Sequence, residues 1–540
     1  MINLNSYSLP TRSFTFYFLL TLFSVLLVLS YRSNAQDLYT FLMTTEEFVR
    51  SGYFYFLQHS LLILLAFSLL GLSCCFAVPV ENVKYVALIT SLVLLVFTVW
   101  LTMYYEPLSF EFQFQSTLIE INAYSLALSF GIDGISLCFL LLTVIIFPIC
   151  FIASWQISYL TRQFFIILLI LEILLILTFI TTDIFFFYVF FESILVPMFL
   201  MIGIWGSRTR KIKAAYYFFL YTLFGSLFML FGLIYMYSIT GSANYEIILN
   251  YEFTLIEEYI LWCCFFITFA AKIPMFPFHL WLPEAHVEAP TIGSVILASL
   301  LLKLGGYGFI RISLSMLPNA SHFFIDLVTA LALISIVYAS LTTIRQIDLK
   351  KIIAYSSIAH MNLLVLGIFS FNIQGIDGAI YLMVAHGVVS SALFFCVGVL
   401  YDRWHTRLLK YFSGLVQVMP FFTIFFFLFT MANMGFPGTS NFVGELLVLV
   451  GIFQYNTIAL FFAATGIVLS AVYSIWLFNR VCFGTLKIKY ITSYIDLNEV
   501  EIIVFIPLII LMFILGLNSQ LIIDLFSAET AFIAGNSLTH

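Results

Sequence analysis

Charge is what this chain has least of. Only 9% of its 540 residues are Asp, Glu, Lys or Arg, while 63% are hydrophobic and the mean hydropathy is +1.11. A soluble domain covers itself with polar side chains, and this sequence does not carry enough of them. The composition therefore excludes a soluble globular class and selects a polytopic membrane protein. No basic cluster of the kind that grips a phosphate backbone is present, which argues against nucleic acid as a partner. Of the eight cysteines, Cys74–Cys75 and Cys263–Cys264 are adjacent pairs in apolar runs and the rest are scattered, with no Cys-x-x-Cys among them. Zinc and iron–sulfur ligand sets are thus missing, and the cysteines read as small apolar residues. Neither G-x-G-x-x-G nor a Walker A sequence occurs. The chain supplies no nucleotide, flavin or metal site of its own. Its 63 phenylalanines, with abundant Ile, Leu and Tyr, fit an AT-rich coding sequence such as an organelle genome.

Hydropathy predicts fifteen spans, near 14–31, 60–78, 84–103, 134–154, 163–181, 183–204, 214–237, 259–281, 290–312, 322–344, 351–369, 376–400, 418–449, 456–479 and 502–518. The first is followed by Ser33-Asn34-Ala35, as a signal peptide would be. Its apolar run is long for that role, and it reads as an extra membrane helix. With that helix numbered zero, loops after odd-numbered spans carry 15 of the 21 Lys and Arg residues, including Arg208–Lys213, Arg345–Lys351 and Arg403–Lys410, against three on the other side. The positive bias puts the odd loops in the cytoplasm or mitochondrial matrix. The turn Arg345–Lys351 is expected to be solvated at the membrane edge. Glu284 and Glu288, around His286, are either a proton entrance or an ordinary polar loop.

Two spans are expected to be broken. Pro274 and Pro277 interrupt span seven just after Lys272, and Gly435-Phe-Pro-Gly438 interrupts span twelve just before Glu445. Lipid cannot satisfy freed backbone groups, so each break should face protein or water. The breaks lie five spans apart, which gives inverted units, the arrangement that marks transport sites. Two packing kinks are the plainer alternative.

The rare charges fall where they cost most. Lys272, Lys303, Glu192 and Glu445 occupy mid-span positions, and an ionised group at the bilayer centre costs about 2.5–3.5 kcal/mol. Glu172 is mid-span, and His360 and His386 lie on consecutive spans. Histidine exchanges protons near neutral pH, and lysine does so when its surroundings lower its proton affinity. The set reads as a line of proton-carrying sites, with structural ion pairs as the competing reading.

Several long stretches carry a resemblance. They are Gly131-Ile-Asp133-Gly-Ile-Ser; Phe190-Phe-Glu192-Ser-Ile-Leu-Val-Pro-Met; Lys272 through Arg311; Ile353 through Asn362; and Phe436 through Glu445. In this order, over about residues 60–490, they resemble the antiporter-like membrane subunits of the proton-pumping NADH:ubiquinone oxidoreductase, respiratory complex I. Pro283-Glu-Ala-His-Val-Glu-Ala-Pro290 resembles subunit 4 rather than subunits 2 or 5.

The resemblance implies an all-α polytopic fold of about fourteen core helices with antiporter-like inverted repeats, here plus one N-terminal helix. It implies a pair Glu192–Lys272, a central relay Lys303, polar-axis residues His360 and His386, a distal terminus Glu445, and a less secure Glu172. It also implies a mitochondrial inner-membrane protein without a cofactor of its own. FMN, iron–sulfur clusters and ubiquinone belong to partner subunits, and the neighbours are membrane lipids and the related subunits 2 and 5. Residues 1–58 read as an N-terminal extension, 59–520 as the proton-translocating domain and 521–540 as a short C-terminal tail. Two other functions remain open at this level: a subunit of a multi-subunit Na+/H+ antiporter, and a structural membrane anchor.

Overall fold

A computed structural model describes residues 59–121, 126–487 and 495–539. The extra helix expected at 14–31 lies outside the described residues. The described chain is helical apart from one hairpin. Its main helices are α1 (Ser60–Ala77), α2 (Val83–Tyr104), α3 (Gly134–Ala153), α4 (Thr161–Ile180), α5 (Ile184–Trp205), α6 (Lys211–Thr240), α7 (Leu255–Lys272) and α8 (Thr291–Leu314). They continue with α9 (Ile325–Arg345), α10 (Leu349–Ile368), α11 (Ile373–Trp404), α12 (Pro420–Asn433), α13 (Ser440–Tyr455), α14 (Thr457–Cys482), α15 (Glu499–Leu517) and α16 (Gln520–Thr539). Among the described residues, twelve helices are long and apolar enough to cross a membrane; α7, α12, α13 and α16 fall outside that set.

Burial sorts these helices. Outer helices such as α1, α6, α9 and α14 leave most of their apolar stretch at the surface, whereas α8 and α11 are enclosed along theirs and α3 and α10 nearly so. Apolar residues all round a helix suit lipid on one side and protein on the other; a fully enclosed helix is the place where a charge escapes lipid. Lys303, His360 and His386 sit on α8, α10 and α11.

Both expected breaks are present. α7 ends at Lys272, and a short helix Trp281–Glu288 follows the gap. The freed groups find protein partners. Phe276 N donates to Ser335 Oγ at 2.9 Å, and Trp281 Nε1 donates to Ala271 O at 2.9 Å. The second break separates α12 from α13; Phe436 N donates to Met431 O at 3.1 Å, and the Thr439 hydroxyl to Phe436 O at 2.7 Å. Side chains and tight turns thus replace the helix bonds that lipid cannot replace.

The loops after odd-numbered spans meet on one face. Arg407 joins four of them: its Nε donates to Asp348 Oδ2 at 3.0 Å, its Nη2 to Glu288 Oε1 at 3.0 Å and its Nη1 to Ser207 Oγ at 3.2 Å. The turn expected to be solvated at 345–351 is so only in part: Arg345 and Ile347 are exposed, but its middle is not. Asp348, Lys350 and Arg407 are all buried, because ion pairing let the positive loops fold over the helix ends. The opposite face holds an antiparallel hairpin that the sequence did not announce. Its strands are β1 (Gln113–Ile121) and β2 (Leu126–Ile132), with register shifts between Gln113 and Ser116 and between Thr117 and Ile119.

Candidate functional site: a buried polar line

Lys303 is buried completely on α8. Its Nζ donates to Ala298 O at 2.5 Å and lies 2.9 Å from His386 Nδ1. The α8 backbone is wound as a π-helix over Leu297–Leu301 and again over Phe309–Leu314, with Lys303 in the α-helical segment between. π-turns shift the register of the side chains that follow and recur at functional sites.

The line continues away from Lys303. The rings of His386 and His360 have centroids 5.6 Å apart, and His360 Nδ1 stands 3.2 Å from Glu445 Oε1. Neither His386 Nε2 nor His360 Nε2 has a hydrogen-bond partner among the described residues. Glu445 lies against the second break. Gly435 there has φ +71°, and a Cβ on it would collide with the Glu445 carboxylate. Glycine is therefore needed twice over, for the left-handed backbone and for the room. A small cavity beside His360 and Glu445 is lined also by Ser470 and Tyr473 of α14.

Lys272 closes α7, where a cation meets the negative end of the helix dipole. Two residues past Lys303, a Cβ on Gly305 would stand 3.1 Å from Lys272 Cβ, so the glycine lets α8 press against the first break. Lys272 and Glu192 do not touch. Lys272 Nζ sits 4.5 Å from the centre of the Phe191 ring, a cation–π distance. Glu192 forms no ion pair among the described residues; the Ser226 hydroxyl is its polar neighbour, and the Glu192 and Lys272 charges act on each other. Glu172 stands apart on α4. Its oxygens have no hydrogen-bond partner among the described residues, and its charge acts on the Cys150 thiol of α3.

On the odd-loop face, Glu284 pairs with Lys351 at 2.7 Å, partly exposed, and Glu288 pairs with Arg407. His286 stacks on Phe394 with centroids 4.7 Å apart, and its nitrogens have no partner among the described residues. Lys350, which the sequence reading placed in a surface turn, buries its ammonium against Ala289 O at 2.7 Å and Ser294 Oγ at 3.3 Å. It was missed because it lies at the very start of a helix, where a hydropathy window sees a boundary. Tyr473 was missed because tyrosine is ordinary in so aromatic a chain.

Buried Lys, His and Glu beside two broken helices are the arrangement expected of a membrane protein of the antiporter-like class. The family model described as NADH:quinone oxidoreductase/Mrp antiporter, TM, matches residues 181–470. NADH-ubiquinone oxidoreductase chain 4 of Chondrus crispus is 53% identical over 407 residues, covering 75% of this chain and 83% of the relative. That of Marchantia polymorpha is 48% identical over 465 residues, covering 85% and 94%. Among solved structures, a chain of respiratory complex I from Thermus thermophilus with bound NADH superposes with TM-score 0.79 at 24% identity, covering 89% of this chain and all of that one. A chain of the Mrp complex from Dietzia sp. DQ12-45-1b gives 0.78 at 18%, covering 89% and 97%. These two show a shared fold.

The chain belongs to the NADH:quinone oxidoreductase/Mrp antiporter membrane family, on its oxidoreductase chain 4 branch. It is a multi-pass subunit of the proton-translocating NADH:ubiquinone oxidoreductase, and so part of a multi-subunit membrane complex. The antiporter reading shares the fold but not the close relatives.

Proposed function

We propose that this subunit moves protons along the line Lys272, Lys303, His386, His360, Glu445, with Glu192 as the group that gates Lys272. The observation that carries the reading is the Lys303–His386 contact at 2.9 Å continued by the His360–Glu445 contact at 3.2 Å. Two positive charges about 4 Å apart repel by roughly 4 kcal/mol at an effective dielectric of 20. Lys303 and His386 therefore share one excess proton, and Glu445 at the far end draws it on. His386 Nδ1 accepts from Lys303, and its Nε2 passes the proton towards His360 through a bridging water or a ring turn. The open Glu192–Lys272 pair suits a gate. Closing it stabilises the charge on Lys272, and opening it frees the proton for Lys303. His286 and Lys350 offer an entrance from the odd-loop face, since His286 lies where the charges of Lys350 and Lys303 both reach it.

The energy comes from electron transfer in other subunits. FMN, iron–sulfur clusters and ubiquinone belong to those partners, and the related subunits 2 and 5 are the expected neighbours in a mitochondrial inner membrane. Residues 59–520 are read as the translocating unit, and Glu172 as its least committed member. The test is Lys303→Met in the whole complex, with assembly followed by native gel and with proton uptake and quinone reduction measured in vesicles. Loss of both activities in an assembled complex supports the relay. Retained pumping refutes it and leaves a structural anchor.

A further inference from the structure

The residues after 520 form α16, which is packed on α3 and α11 and carries a buried carboxylate outside the line above. Glu529 is 3% exposed. Its Oε1 accepts from Gly134 N and from the Tyr105 hydroxyl, the latter at 3.2 Å, and its Oε2 accepts from Ile135 N at 3.1 Å. The contact is flush, since a Cβ on Gly134 would collide with the Leu525 carbonyl. Glu529 thus sits on the positive end of the α3 dipole. One residue earlier, Asp133 caps α3 and pairs with Arg311 from the outer end of α8. Two carboxylates and one guanidinium share a single helix N-terminus.

Arg311 leads back to Lys303. Its Nε donates to the Tyr307 hydroxyl at 3.2 Å, and Lys303, Tyr307 and Arg311 follow each other at four-residue spacing along one face of α8. The Arg311 guanidinium also lies over Phe112 at 5.2 Å and Tyr245 at 5.3 Å. The stretch Phe309–Leu314 around it is π-wound, a winding that recurs at functional sites.

We propose that Glu529 is a positioning residue for Lys303: seated on the α3 N-terminus beside the Asp133–Arg311 ion pair, its charge reinforces the hold of Arg311, and with it the outer end of α8, against α3, and a proton taken from the outer side relaxes that hold. Burial pushes the Glu529 carboxyl up to about 7, opposed by Arg311, by the Gly134 and Ile135 N–H groups and by the Tyr105 hydroxyl. Tyr245 and Tyr307 also feel its charge. Titratable groups on the elements packed against α16 include Asp133 and Cys138 at the start of α3, Asp377 and Tyr381 on the first turns of α11, with Asp377 facing the Thr530 hydroxyl, and His322 on the helix Pro318–Phe323.

This inference rests on Lys303 being the central carrier, so Lys303→Met runs in parallel. The experiment compares wild type, Glu529→Gln and Glu529→Asp in the assembled complex in vesicles, reading proton uptake and quinone reduction one pH unit below and one above 7. Glu529→Gln fixes the neutral form. It should match wild type on the acid side and fall about threefold short on the alkaline side, with Glu529→Asp recovering the difference. Equal rates at both pH values, an equal loss at both, or failure of Glu529→Gln to assemble would each overturn the positioning role. A silent Glu529→Gln beside an inactive Lys303→Met removes this inference alone. Normal pumping by Lys303→Met removes the relay reading.

Discussion

Lys303 Nζ and His386 Nδ1 lie 2.9 Å apart between two helices that lipid does not reach. The ammonium also holds Ala298 O, so the lone pair of Nδ1 faces a donor and the ring proton belongs on Nε2. His386→Gln keeps an acceptor for Lys303 but cannot relay a proton. We expect assembled complex with proton uptake lowered about a hundredfold, the scale of a lost proton carrier. Unchanged uptake would mean that the ring only packs.

Lys272→Met and Glu192→Gln should each lower proton uptake about tenfold or more, and quinone reduction with it, because pumping and electron transfer are coupled. The two side chains do not form a direct ion pair in the structure, yet each charge acts on the other, so a double-mutant cycle on thermal stability should give a coupling energy of about 0.5–1 kcal/mol. A larger coupling energy in a double-mutant cycle would show that the resting pair is closed.

Gly435→Ala forces an L-residue into φ +71° and drives its Cβ into the Glu445 carboxylate. The backbone strain alone costs about 1–2 kcal/mol. Turnover should drop while assembly persists, and Glu445→Gln should mask most of the effect. An active Gly435→Ala complex would show that Glu445 has other room to occupy.

Arg407→Met leaves Asp348 and Glu288 buried without their common cation, a loss of about 3–5 kcal/mol. Because these contacts tie four loops, the subunit should fail to accumulate in the complex on native gels. Arg407→Lys, which cannot reach both carboxylates at once, should restore it only in part.

Asp183, ahead of α5, accepts from Phe185 N at 2.9 Å and Phe186 N at 3.3 Å. Burial pushes its carboxyl up to about 6, and the N–H groups of Phe186, Ala127 and Phe185 pull it back. A raised carboxyl favours the folded state when protonated. The contribution is complete below the ordinary value of 3.8 and is lost as pH rises through about 6. Asp183→Asn should flatten this dependence, worth about 1–2 kcal/mol, in hydrogen exchange of the Phe185–Phe187 amides. Equal slopes in mutant and wild type would remove Asp183 as the cause.

The sequence by itself determined the membrane class, the two breaks and the identity of the rare charges. It could do so because lipid imposes one-dimensional rules: a span needs a run of apolar residues, a proline frees a local hydrogen bond, and a buried ion is costly wherever it sits. Span positions followed closely, as with 134–154 against Gly134–Ala153. Only the tertiary structure decided which charges meet. Lys303 and His386 are 83 residues apart, and nothing local says that α8 and α11 bring them together. Nor does anything local say that Phe191 rather than Glu192 faces Lys272, or that α16 returns Glu529 to the start of α3 across 395 residues. The buried Asp348–Arg407–Glu288 cluster escaped for the same reason. A charge in a loop reads as solvated until another loop folds over it, and that packing is a property of the whole chain.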